Sequence, residues 1–436
     1  MNSGVGAGNS ILVAAFRSAL LQQGAIALVV IVFVWLGWIT IRAWLLPVPA
    51  GKPASGEPAA DPGEAPGTSG AGAGETGGTG GTWATDELRR ARKAARGGGP
   101  GEARGRRLLR IGFGLIWIFD GILQAQPKMA GGLPAQVIAP TAAASPAWVQ
   151  HVVNWGGTIW SYHPITAAAA AVWIQIGIGV WLLVAKSGPW SRLGGLASVS
   201  WGLIVWVSGE SFGGIFTSGQ SWLNGTPGAA LIYVVAGALI ALPEDAWRSS
   251  RPGRRLLGGT GLFFIGMAVL QAWPGRGFWQ GTIHGHPGSL AGMVQSMVPT
   301  PQPHFLSALL SDFGSFAAAN GFAVNLVVVI ALAAMGVIFL TGRPRLVRYA
   351  VWFGIVFGLA VWVLVQDLGF LGGVGTDPNS MIPFLVLITV GYLELTPRPQ
   401  EVPVAEEACQ TGEAAGAARD AGSGGRRGPL APKVLG

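Results

Sequence analysis

Cysteine is almost absent. The chain of 436 residues holds one, Cys409, in a polar tail, which excludes an internal disulfide, a CxxC redox pair and a thiolate metal site. Charge is scarce too: 11% of residues are charged while half are hydrophobic. A chain this long has room for two or three soluble domains. This balance, with recurring apolar runs of about 18 residues or more, instead marks membrane-spanning helices. The net charge is +8, yet no basic face interleaved with aromatics exists, which excludes nucleic acid as a partner. The bases sit at the ends of apolar runs, where they orient the chain in a bilayer and face anionic lipid. The histidines, His151, His163, His284, His286 and His304, all lie outside the apolar runs. Haem would need two at matched depth on facing helices. His284-Gly285-His286 with His304 has no carboxylate or thiol beside it, so no metal is expected.

What is abundant is repetition. Gly112 to Pro127 (GFGLIWIFDGILQAQP) lies over Gly259 to Pro274 (GTGLFFIGMAVLQAWP) at an offset of 147 with eight identities in sixteen positions. At offset 156, Gly202-Leu-Ile-Val-Trp-Val207 lies over Gly358-Leu-Ala-Val-Trp-Val363, which pairs Glu210 with Gln366 and Pro227 with Pro383. The expected fold is an all-α integral membrane protein. An N-terminal segment carrying an anchor helix (1–46) precedes a Gly/Ala/Pro-rich disordered linker with a basic end (47–107), two tandem four-helix units (108–243 and 244–396) and a disordered tail (397–436). The anchor is read over 25–46, after a short amphipathic patch at 11–23, and as uncleaved, although Val48-Pro49-Ala50 resembles a signal cleavage site. The other spans are placed near 108–126, 165–185, 193–209, 228–243, 256–273, 321–341, 349–366 and 382–396, nine in all.

Bases concentrate in one set of loops, among them Lys186, Arg192, Arg248, Arg251, Arg343 and Arg348, whereas the opposite loops hold only Lys128 and Arg276. The basic loops, the linker and the tail are therefore cytoplasmic and the N-terminus is outside. An even number of spans per unit makes the repeats parallel. Ser198/Gly202 and Gly354/Gly358 supply close-packing faces. Each unit also has a Pro-Thr…Pro-x-aromatic pattern before an amphipathic run, read as helices roofing the bundle on its outer side.

The chemistry-bearing candidates fall in the first unit. Asp120 is a carboxylate inside a span, costly unless it faces the bundle or a wet cavity, and Trp117, Asp120 and Gln124 share one helical face. Glu210 ends the third span, one turn after Trp206, before a Gly-rich turn that includes Asn224. The second unit has Met267 and Gln366 at the places of the two acids. If the acids meet, they share a proton. His151 and His163 are candidate relays beside them; His163 also precedes a helix start, where a capping role fits. Nineteen tryptophans, with Trp148, Trp155, Trp160, Trp206 and Trp222 gathered near the outer interface, suit an aromatic belt and also a flat ring such as a quinone head group. The outer surface is poor in cations for a small anion.

Arg110-x-Gly112-x-Gly114-Leu115-x-x-x-x-x-x-Gly121, in a four-span unit, resembles the DoxX/DoxD-like membrane proteins. The resemblance covers about 100–243 and, more faintly, 254–396. It implies an inner-membrane protein near the quinone pool, associated with redox chemistry and a respiratory partner, with a quinone as the candidate cofactor. The leading expectation is a quinone-linked component in which Asp120 and Glu210 handle protons. A proton-coupled transporter and a non-enzymatic scaffold or assembly factor are the alternatives.

Overall fold

The computed structural model describes residues 10–45, 102–217 and 219–395, without the side chains of 35–45. The linker, the tail, the cleavage site and Cys409 lie outside the described residues. What is described is overwhelmingly helical, apart from a small hairpin of β1 (Thr282–Ile283) and β2 (His286–Pro287).

The helices are α1 (Ser10–Leu45), α2 (Arg104–Gln124), α3 (Pro127–Ala143, with a π-helical turn inside it), α4 (Ala147–Tyr162), α5 (Pro164–Val184), α6 (Gly188–Ile204, running on in a π-helical turn Val205–Gly209) and α7 (Ala229–Ala241). A second series follows: α8 (Arg251–Ala272), α9 (Ser289–Met297), α10 (His304–Ala319), α11 (Gly321–Thr341), α12 (Pro344–Leu364) and α13 (Met381–Leu395). A helix stands at each of the nine expected spans. Five, α1, α5, α8, α11 and α12, are long and apolar enough to cross a membrane. α2 qualifies only together with α3, which is bent from it by 76°, and α7 and α13 are shorter apolar helices. These helices suggest a multi-pass membrane protein.

Two boundaries differ from expectation. α2 begins at Arg104, inside the stretch read as linker, because its first turn is held at once: Glu394 accepts from the Gly105 N–H at 2.6 Å. Two of its four arginines also point inward. Arg106 donates to Lys186 O and Ser191 Oγ, both at 2.9 Å. Arg110 donates to Leu182 O and Leu183 O, both at 2.7 Å. Both pair with Glu102. Arg106, at the linker's basic end, and Arg110, at the start of the first span, are thus buried caps on the carbonyl end of α5. The second difference is α1, one continuous helix in which the amphipathic patch makes the packing contacts. Phe16 is buried against Ala168, Ala169 and Val172, and Leu20 O accepts from Trp173 Nε1 at 3.0 Å. Ile26 and Leu28 to Val34 are exposed.

The halves pack by the same device. A Cβ on Gly179 would lie 2.5 Å from Gly114 O, and one on Gly336 2.9 Å from Gly261 O, so α2 meets α5, and α8 meets α11, through bare backbone. Gly202 and Gly358 likewise admit α7 and α13 against α6 and α12. Each third helix ends in a run of left-handed residues at offset 156: Ser211, Phe212 and Gly213 (φ 50°, 60° and 60°) and Asp367, Leu368 and Gly369 (φ 49°, 61° and 80°). α4 and α10 start directly after Pro146 and Pro303.

After these turns the loops cross over. Residues 370–377 lie on α2 and α3: Phe370 meets Phe119 edge-on at 5.6 Å, and Gly375 O accepts from Gln126 Nε2 at 3.4 Å. Residues 220–225 lie on the second half. Ser221 Oγ donates to Gln271 Oε1 at 2.6 Å, and Trp222 packs on Phe264, Phe357 and Phe384 at 5.4, 5.7 and 6.1 Å. Trp222, expected at the interface, is therefore a core residue of the opposite half. One contiguous core runs through both halves.

Candidate functional site

Asp120 sits near the end of α2, where a helix of apolar neighbours leaves its carboxyl only 2% exposed. Trp117 and Gln124, on the same face, are buried beside it. Trp117 is fixed by donation to Ser198 Oγ at 2.9 Å and by an edge-on contact with Tyr233 at 4.8 Å. Tyr233, on α7, turns its hydroxyl toward Asp120. Even so, Asp120 Oδ1, Tyr233 Oη and Gln124 Oε1 have no partner at hydrogen-bond geometry, an unusual deficit in a buried place.

Two more acids lie within electrostatic reach of Asp120, Asp377 and Glu210. Asp377 arrives on the crossing loop from the second half. Its carboxylate accepts from Thr376 Oγ1 and from the Asn379 N–H, both at 2.7 Å. Burial pushes its pKa above the usual carboxylate value against both bonds. Glu210 follows the π-helical turn of α6, and both its oxygens accept from the Ala230 N–H, at 3.1 and 3.2 Å. It therefore caps the positive end of α7. Gly228 (φ 95°) makes room for it, since a Cβ there would lie 2.2 Å from Glu210 Oε2.

The other half has the same framework with other chemistry. Met267 stands for Asp120, Gln366 for Glu210 and, at offset 156, Ser221 for Asp377. Gln271, the counterpart of Gln124, is satisfied: it accepts from Ser221 and donates to Asn325 Oδ1 at 2.7 Å. Three acids, of which Asp120 keeps an unpartnered oxygen, stand on one side, and a neutral Ser221–Gln271–Asn325 network stands on the other.

The remaining sequence candidates are elsewhere. His151 and His163 are exposed; the His151 ring bonds Ala147 O of its own helix at 2.8 Å, and the His163 side chain makes no cap bond to α5. Asn224 is exposed and closes a capping box with Ser221. Trp206 donates to Pro227 O at 2.9 Å and meets Phe212 edge-on at 5.3 Å, so it braces the left-handed turn after Glu210. Tyr233 and Asp377 escaped the sequence reading. Asp377 carried a signal only through its pairing with Ser221 at offset 156, and Tyr233 only as a phenol inside an apolar run.

Among the described residues no group of three or more His, Cys, Asp or Glu side chains is disposed to hold a metal ion. Two cavities lie in the second half or at its edge, and neither is lined by Asp120 or Glu210. One, of about 340 Å³, is walled by apolar residues including Phe313, Phe316 and Phe357. The other, of about 560 Å³, lies between Gln220 and Arg276. No protein-family model, curated protein or solved structure matches the chain.

Proposed function

We propose that the protein is a multi-pass protein of the cell membrane, an anchor helix followed by two parallel four-helix repeats, that acts as a quinone-linked redox component. Its proton-handling site stands at the outer end of the first repeat. The observation that carries this reading is the buried Asp120 carboxyl, with an unpartnered oxygen, facing an unpartnered Tyr233 hydroxyl beside two further acids. Carboxyls confined together do not all ionise, so the group holds exchangeable protons, and quinone reduction takes up protons with electrons. The phenol is a natural donor between carboxyl and ring.

The orientation follows the basic loops, which put the Arg110 end inside and the Asp120 end outside. Between them lie Phe113, Ile116 and Ile178, all buried. That apolar layer favours a one-sided site over a path for transport. The DoxX/DoxD-like resemblance supports the fold more than the chemistry, because Gly114 and Gly121 of the shared pattern are the residues on which α5 packs.

The test is quinone binding to the detergent-purified chain, followed by tryptophan quenching with Trp117 as the nearest reporter. Wild type should quench saturably, and Asp120→Asn with Asp377→Asn should weaken the apparent affinity about tenfold or more, the scale of one charge-assisted bond. Absence of saturable quenching would overturn the quinone reading. Saturation unchanged in the double variant would move the ring away from the acids.

A further inference from the structure

Arg276 is the one arginine in the loops at the acid end of the bundle, and the described residues give it no carboxylate. The ion pairs among the described residues are Arg106 and Arg110 with Glu102, and Arg248 with Asp245, all in the basic segments at the other end. Arg276 follows α8 in a short turn, donates through Nη2 to Gln220 O on the crossing loop, and lies over the Phe278 ring at 6.0 Å. Partial burial lowers its pKa, so its charge is desolvated without an ionic partner. A guanidinium has five donors, and one is assigned to a protein acceptor.

This charge lines the cavity of about 560 Å³, together with Ile215, Thr217, Gln220, Leu270 and Ser289. Within the wall the Ser289 and Thr217 hydroxyls donate to backbone carbonyls, so the donors left for a ligand are those of Arg276 and Gln220. Gln220 Oε1 accepts from Thr226 Oγ1 at 2.5 Å, which leaves its amide N–H groups. Ser289 Oγ donates to Arg276 O at 2.7 Å and braces the arginine backbone. Among the described residues no acidic side chain lines the cavity. The volume exceeds that of a bare inorganic anion, and Ile215 and Leu270 supply apolar wall beside the charge.

The geometry points to a binding site for a phosphate-bearing ligand of head-group size, its oxyanion on Arg276 and Gln220 and its remainder against Ile215 and Leu270. A planar guanidinium matches two phosphate oxygens at once. A phospholipid head and a soluble phosphate ester share this chemistry. The site uses no residue of the acid cluster, so it stands or falls separately from the quinone reading.

The experiment uses the full chain in neutral detergent, with native mass spectrometry and thermal shift as readouts. The probes are phosphatidylglycerol, phosphatidylcholine and glycerol 3-phosphate. Retention of phosphatidylglycerol above phosphatidylcholine, with no effect of glycerol 3-phosphate, identifies a lipid head; a saturable shift with glycerol 3-phosphate alone identifies a soluble ester. In either case Arg276→Gln should weaken binding about tenfold or more, the scale of a lost charged hydrogen bond, and Arg276→Lys should retain part of it. Ile215→Trp, at a position 41% exposed, narrows the cavity while leaving Arg276 in place and should weaken binding as well. Equal retention of both lipids with no shift from glycerol 3-phosphate overturns the proposal. So does wild-type binding in both Arg276→Gln and Ile215→Trp.

Discussion

Asp367 and Ser211 occupy one place in two left-handed turns, and both are buried with an unpartnered side-chain oxygen. Burial raises the Asp367 pKa from 3.8 to about 6, so the folded chain keeps a proton there that the unfolded chain releases. Its contribution to stability is complete below pH 3.8 and is lost as pH rises through about 6. Asp377, pushed in the same direction by burial, adds to the same slope. In Asp367→Asn the thermal midpoint should fall less between pH 4 and pH 6 than in wild type, and a pH series in detergent checks it. Asp120 was legible because a charge in an apolar run is conspicuous. Tyr233 was not, because a phenol passes for core until its hydroxyl is seen to lack a partner.

At the scale of elements, glycine decides the packing. Gly179→Ala would drive a methyl to 2.5 Å from Gly114 O, whereas Gly177→Ala meets nothing within 4 Å. The first should cost about 1–3 kcal/mol through overpacking against backbone, and the second should be neutral or slightly stabilising; paired chemical-denaturation curves separate them. The positions of most helices were readable because apolar runs, prolines at helix starts and the repeated offsets agree with one another. The N-terminal helix was readable as an apolar span after an amphipathic patch, but its contacts with α5 through Phe16, Leu20 and Gly24, at four-residue spacing, were not. The start of α2 at Arg104, four residues ahead of the expected span, was not readable, because Arg106 and Arg110, bases by composition, serve as hydrogen-bond donors to the last carbonyls of a neighbouring helix.

For the whole molecule the crossing loops matter most, and no periodicity in residues 214–228 or 370–380 announces them. Trp222 belongs by position to the first half and by packing to the second. Trp222→Ala should therefore destabilise the chain by about 3–5 kcal/mol and should speed proteolysis of residues 274–290 in the second half before any cleavage in α2. Limited proteolysis with mass spectrometry reads the order of cuts. Early loss of α2 instead would mean that the loop anchors its own half.

The reach of the other loop has a consequence during synthesis. Gln126 meets Gly375 across 249 residues of chain, so the ribosome makes the first half, with Asp120 and Glu210, long before it makes the segment that covers them and brings Asp377. Until then the nascent bundle holds Asp120 beneath an unfinished roof. Whatever guards that carboxyl in the newly inserted chain has to come from lipid, water or the insertion machinery.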